Sequence, residues 1–111
     1  MKFEFIKELE KSTTIACGIR STLWTKKGEL SIQASKFHYC IPKENLKLED
    51  YSHFEVAIFN NYKKILKGFK AADDLEECTG ETWVNGNGEK GIIFAYVPKK
   101  LVEKLYLYMQ E

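Results

Sequence analysis

The chain has 111 residues, 44% hydrophobic and 14% aromatic, and its 17 basic and 16 acidic residues leave a net charge of +1. That is one domain's worth of sequence, residues 1–111, able to bury a core without disulfide or metal staples and too apolar for a disordered tail. A nearly neutral chain has no global field to gather nucleic acid or anionic lipid, and Arg20 is its only arginine, which disfavours bidentate reading of guanine edges.

The N-terminal run MKFEFIKELEK is charged throughout and has no apolar signal core. The longest apolar run, Gly91 to Val97, is too short to cross a bilayer. Cys17, Cys40 and Cys78 are odd in number and include no CxxC, so free thiols in a reducing compartment are expected rather than a disulfide framework. A cytoplasmic protein with no membrane association follows.

Phe3 and Phe5 alternate with charge and predict a first strand over Lys2 to Lys7. Ile15, Cys17 and Ile19 predict a second over Thr13 to Trp24, with Gly18 as a bulge or close-approach point. Lys26 to Glu29 reads as a turn and Glu29 to Ser35 as the next strand. Pro42 ends that segment because it cannot donate to a ladder, and a charged connection runs from Lys43 to Asp50. Tyr51 to Phe59 is the clearest central strand, with Phe54, Val56 and Ile58 on one face.

Asn60-Asn61 supplies a turn. Beyond it, Tyr62, Ile65, Leu66 and Phe69 have helical spacing, yet Gly68 and the nearby turn favour the return arm of a hairpin. Asp73 to Glu77 is an acidic turn or one helical turn. Trp83-Val84 and Ile92 to Val97 flank the loop 85–88 as a further hairpin. Pro98 opens a helix whose apolar stripe is Leu101, Val102, Leu105, Tyr108 and Met109, with Lys99, Lys100, Glu103, Lys104 and Gln110 opposite. Leu107 stands off that stripe and Tyr106 borders it. The fold class is α+β: an antiparallel sheet of about five to seven strands, built of hairpins and capped by a C-terminal helix.

The stretch SIQASKFHYC, residues 31–40, holds the candidate site. Leu30, Ile32 and Ala34 are apolar at even positions, then the parity reverses at Phe37, Tyr39 and Ile41. One slip turns every side chain over. Either a bulge near Ser35-Lys36 keeps one apolar face, or the segment breaks into two strands at a tight corner. With the bulge, Gln33, His38 and Cys40 turn outward together and Lys36 stands at the rim, donors and acceptors without an activated nucleophile, which suits a partner-contact surface.

Other chemistry is weighed against this. His38 and Cys40, two apart on a strand, point side by side rather than at each other, so a Cys-His nucleophile is disfavoured. A metal or thiol site there stays an alternative without knuckle spacing, and no metal or cofactor is expected. The 85–88 loop lacks the lysine and following helix of a phosphate-cradling loop. Lys63, Lys64, Lys67 and Lys70 interleave with Tyr62 and Phe69, a pattern that can hold single-stranded nucleic acid, although the acids that follow weaken the field.

The segments STLWTKKGELSIQASKFHYCIPKENL, YSHFEVAIF and IIFAYVPKKLVEKLY resemble small proteins encoded by bacteriophages and prophages over about two thirds of the chain. The most specific part is Ser31-Ile32-Gln33-Ala34-Ser35, followed by His38-Tyr39-Cys40 and Pro42. The resemblance implies no catalytic residue. It implies a small accessory protein of a mobile element in a bacterial host, and the lysine-rich, arginine-poor composition agrees with a low-GC genome. The expected function is therefore non-enzymatic binding of a protein partner, by a monomer or homodimer, with nucleic-acid binding through residues 62–70 as the alternative.

Overall fold

Phe5, Ile6 and Leu9 recur at helical spacing and all three are buried. In the computed structural model, which describes residues 2–11, 19–78, 80–84, 86, 88 and 90–111, they form the inner face of helix α1, Glu4–Glu10. The strand expected over Lys2 to Lys7 is thus replaced by a helix. Two alternating phenylalanines are too short a pattern to outweigh the Phe5–Leu9 repeat, which buries both residues on one side. The strand expected over Thr13 to Trp24 lies outside the described residues for its first part, including Cys17 and Gly18. Its last part is β1, Leu23–Trp24.

Strand β2, Glu29–Gln33, and strand β3, His53–Phe59, follow, then helices α2, Tyr62–Gly68, and α3, Ala72–Glu76. Strands β4, Gly80–Val84, and β5, Lys90–Pro98, lead into α4, Lys99–Met109. All pairings are antiparallel, and the strand order is β1-β2-β3-β5-β4. This is the expected α+β class. No helix among the described residues is long and apolar enough to cross a membrane.

The sheet's inner face carries Leu30, Ile32, Phe54, Val56, Ile58, Phe94 and Val97, which join the α1 and α4 side chains in one core. Phe54 is at its centre, edge-on to Phe5 at 5.2 Å between ring centroids. The C-terminal helix is part of that core. Leu101, Val102, Leu105 and Met109 are buried, Tyr106 with them, while Leu107 faces out at 46% exposure. Pro98 closes β5 with φ −57° and serves as the cap residue, so the helix begins at Lys99.

The hairpin arm expected over residues 61–70 is the helix α2 instead. The reason lies in the sheet order: β3 is the central strand, and both its edges are taken by β2 and β5. A return arm has no free edge to pair with. Asn60 and Asn61, both at positive φ, redirect the chain so that Ile65 and Phe69 reach the core. The charged connection before β3 is organised by Tyr51, whose buried hydroxyl donates to Glu44 O and accepts Leu46 N–H at 2.8 Å.

Candidate functional site

β2 ends at Gln33, and the chain then turns a corner on Ser35. Its Oγ accepts the Phe37 N–H at 3.0 Å and lies 2.6 Å from His38 Nδ1, and its carbonyl accepts the His38 N–H at 3.2 Å. The parity reversal is absorbed by this corner and not by a bulge. The expected contact face comes apart as a result. Gln33 is 6% exposed and Cys40 fully buried, whereas Phe37 and Tyr39, expected inside, are 62% and 53% exposed. Of the four expected contact residues only Lys36, exposed, and His38, half-buried, reach the surface.

The two buried ones have structural partners. Gln33 Oε1 accepts the Arg20 N–H at 2.8 Å, and its Nε2 donates to Arg20 O at 2.7 Å and to Ser31 Oγ at 3.1 Å. The side-chain amide thus replaces a strand as partner for the Arg20 backbone. Cys40 Sγ lies 3.1 Å from Ser35 O and 3.3 Å from Pro42 O, two acceptors for its single proton. Burial pushes the Cys40 thiol up and the His38 imidazole down, Glu55 partly offsetting the latter. The pair therefore favours thiol with neutral imidazole, the unreactive combination. Burial and then Glu77 and Asp74 likewise hold the half-exposed Cys78 thiol up. Both are free, while Cys17 lies outside the described residues. Among those residues no group of three or more His, Cys, Asp or Glu side chains could hold a metal ion.

A different surface emerges on the outer face of the sheet. Phe54 pairs with Val97 and Val56 with Phe94, so one residue of β3 opposes two of β5, Ala95 and Tyr96. This bulge holds Tyr96 at φ +53°, a left-handed conformation costing a non-glycine residue about 1–2 kcal/mol. Its N–H donates to Tyr39 O at 3.0 Å, while the Tyr39 N–H donates to Glu55 Oε2 at 2.9 Å. The corner is thereby stitched onto the sheet, and the Tyr39 and Tyr96 rings stand 6.0 Å apart. With Ile93, Ala95 and Glu81 they line a cleft of about 220 Å³.

A second ring pair continues this face. Phe59 and Trp83 pair from either side with Gly91, and their rings meet at 5.5 Å. A Cβ at Gly91 would lie 2.6 Å from Phe59 Cδ1, so glycine is what lets the ring lie flat across the strand. Tyr39, Tyr96 and Trp83 are 53%, 41% and 44% exposed, and every residue of the edge strand β4 is exposed. Tyr96 also borders a groove of about 570 Å³ between α3, β5 and α4, rimmed by Asp74 and Glu77 against Lys100 and Lys104. Sequence reasoning missed Tyr96. Its signal was present: the inward positions Phe94 and Val97 are an odd step apart, the same parity break read at residues 35–36.

The lysine segment is divided by its helical form. Lys63, Lys64 and Lys67 are exposed and Tyr62 is half-buried. Phe69 is buried against Tyr108, ring centroids 5.3 Å apart, so it offers no face to a base. Lys70 lines a separate cleft that includes Asp74 and Glu111. The six residues expected to act together do not share one surface.

Comparison of the chain with family models, curated proteins and solved structures finds no match.

Proposed function

We propose that this chain is a non-enzymatic protein-binding module, a small accessory protein of the phage type acting in the bacterial cytoplasm. Its contact surface is the aromatic sheet face of Tyr39, Tyr96 and Trp83. The observation that carries this reading is their exposure, from 41% to 53%, on strands β4 and β5 and on the corner that the Tyr96 N–H ties to β5. Large aromatics with a polar tip are enriched at interface centres because they bury much area at small entropic cost. The exposed edge strand β4 beside them offers unpaired backbone groups for strand addition. Catalysis is disfavoured by the chemistry described above: Cys40 and Cys78 hold their protons, and Ser35, which touches His38, is 2% exposed.

The test is affinity capture from a bacterial host lysate with the tagged chain beside a Tyr39→Ser, Tyr96→Ser variant. A partner recovered stoichiometrically by the parent and lost by a variant of unchanged circular dichroism is the expected result. Equal recovery by both places the contact surface elsewhere.

A further inference from the structure

The cleft between Tyr39 and Tyr96 has a chemistry of its own. Its lining is Tyr39, Tyr96, Ile93, Ala95 and Glu81, so the one charged group in it is a carboxylate. Glu81 is exposed, lies on β4 opposite Ile93, and is in no ion pair or hydrogen bond among the described residues. A second carboxylate, Glu55, is tied to the Tyr39 backbone, whose N–H it accepts at 2.9 Å. The two rings are tilted by 53° with centroids 6.0 Å apart. A cation set between them is within reach of both, since the attraction of a ring for a cation extends to about 6 Å from its centroid. Tyr39 already draws one: the Lys43 ammonium stands 5.1 Å from its centroid, and Lys43 is not among the residues lining the cleft.

Rings and a carboxylate around one cleft select a cation and repel a phosphate or a carboxylate. Size narrows the choice. The volume of about 220 Å³ is below the roughly 300–1,000 Å³ of small-molecule pockets and suits a single side chain. Position names its source. Glu81 belongs to β4, which ends the strand order of the sheet. A strand added to that edge passes beside the cleft and turns alternate side chains towards it. We infer that the cleft receives a lysine or arginine side chain from an extended partner segment paired with β4. Its apolar stem lies on Ile93 and Ala95, and its cation sits by the tyrosines and Glu81. The inference rests on the aromatic face being the contact surface, and it names the residue type that the partner brings there.

The probes are acetylated, amidated peptides Gly-Thr-X-Thr-Gly with arginine, lysine, norleucine or glutamate at X. Each is titrated against the full chain and followed by the NMR shifts of the Tyr39 and Tyr96 ring protons. The arginine and lysine peptides should bind at least about fivefold tighter than norleucine, and glutamate should be weakest. Glu81→Gln should cut that preference by about twofold or more and leave norleucine binding unchanged. Glu77→Gln, the same charge change on the far side of Tyr96, should have little effect. Both glutamates are exposed, so neither substitution threatens the fold. Equal affinity for norleucine and arginine, or no ring shift with any peptide, overturns the inference. So does an unchanged preference in the Glu81 variant, or an equal loss in the Glu77 variant. Capture from lysate separates this from the reading beneath it. A partner lost by the Tyr39→Ser, Tyr96→Ser variant, without a preference for basic peptides, keeps the contact surface and removes the cation. Equal recovery by both chains removes the contact surface and the inference with it.

Discussion

Glu103, on α4, accepts the backbone N–H of Glu4 at 2.8 Å with one carboxylate oxygen and that of Phe5 at 3.1 Å with the other. The first turn of α1 carries no side-chain cap of its own, since its cap position is Phe3. A helix leaves its first N–H groups without intrahelical partners, and here a residue 99 positions away supplies the acceptors. The negative charge also lies at the positive end of the α1 dipole. Glu103→Ala should lower stability by about 1–2 kcal/mol, the cost of losing a cap, read as a shift of the urea midpoint at unchanged slope. Glu103→Gln, which keeps one acceptor oxygen, should lose less. An unshifted midpoint in both variants would show that α1 is held by its apolar face alone.

Gln33 is a second long-range tie. Its amide takes both backbone groups of Arg20, whose guanidinium in turn donates to Leu9 O at 3.3 Å. Truncating Gln33 leaves a donor and an acceptor at Arg20 without their protein partner, which should cost about 1–3 kcal/mol. His38→Ala, at a half-buried turn position, should cost no more than about 1 kcal/mol. Urea melts of the two single variants separate these roles. Similar small shifts in both would mean that water replaces the Gln33 amide freely.

The contrast between Gln33 and the rest of its strand shows what the sequence carries. Alternation in β3, the 83–97 hairpin and the stripe on α4 are local patterns, each repeated often enough to be read, and the α+β class follows from them. Pro98 marks the β5–α4 junction to within a residue for the same reason. The α1 and α2 segments carry helical spacing beside a competing strand pattern, and what decides between the two lies elsewhere in the chain. α1 is capped by Glu103 from α4, and α2 is a helix because β2 and β5 already occupy both edges of β3. Gln33 reads as a surface residue until a backbone, that of Arg20, is delivered to it. Tyr39 reads as core until the Ser35 corner turns it out.

His38 should leave a pH signature. Burial holds its folded-state pKa below the ordinary value of 6.5, so between those two values the unfolded chain binds more protons than the folded one. The stability from this group is therefore present above about pH 6.5 and is lost as pH falls towards the folded-state pKa. Protonation at Nδ1 also prevents that nitrogen from accepting a bond from the Ser35 hydroxyl, 2.6 Å away. The urea midpoint should fall between pH 7.5 and 5.5, and His38→Gln should fall less over the same interval. Parallel curves for the two proteins would assign the pH dependence to other groups.

Tyr96 sets folding against binding most directly. It occupies the left-handed position of the β5 bulge at φ +53° while being 41% exposed. A tyrosine there costs about 1–2 kcal/mol of backbone strain that glycine would not incur. Glycine frees the unfolded chain by about 0.5–1 kcal/mol in return, and it also gives up the buried part of the ring and its contact with Tyr39. The strain relieved and the burial lost oppose each other, so Tyr96→Gly should leave thermal stability within about 1 kcal/mol of the parent. The same substitution removes one wall of the Tyr39 cleft, so the partner captured by the parent chain should be lost. Gain or retention of stability with loss of binding is the signature of strain kept at a functional site. A variant that melts well below the parent would instead make Tyr96 a structural residue, and the aromatic face would lose its central support.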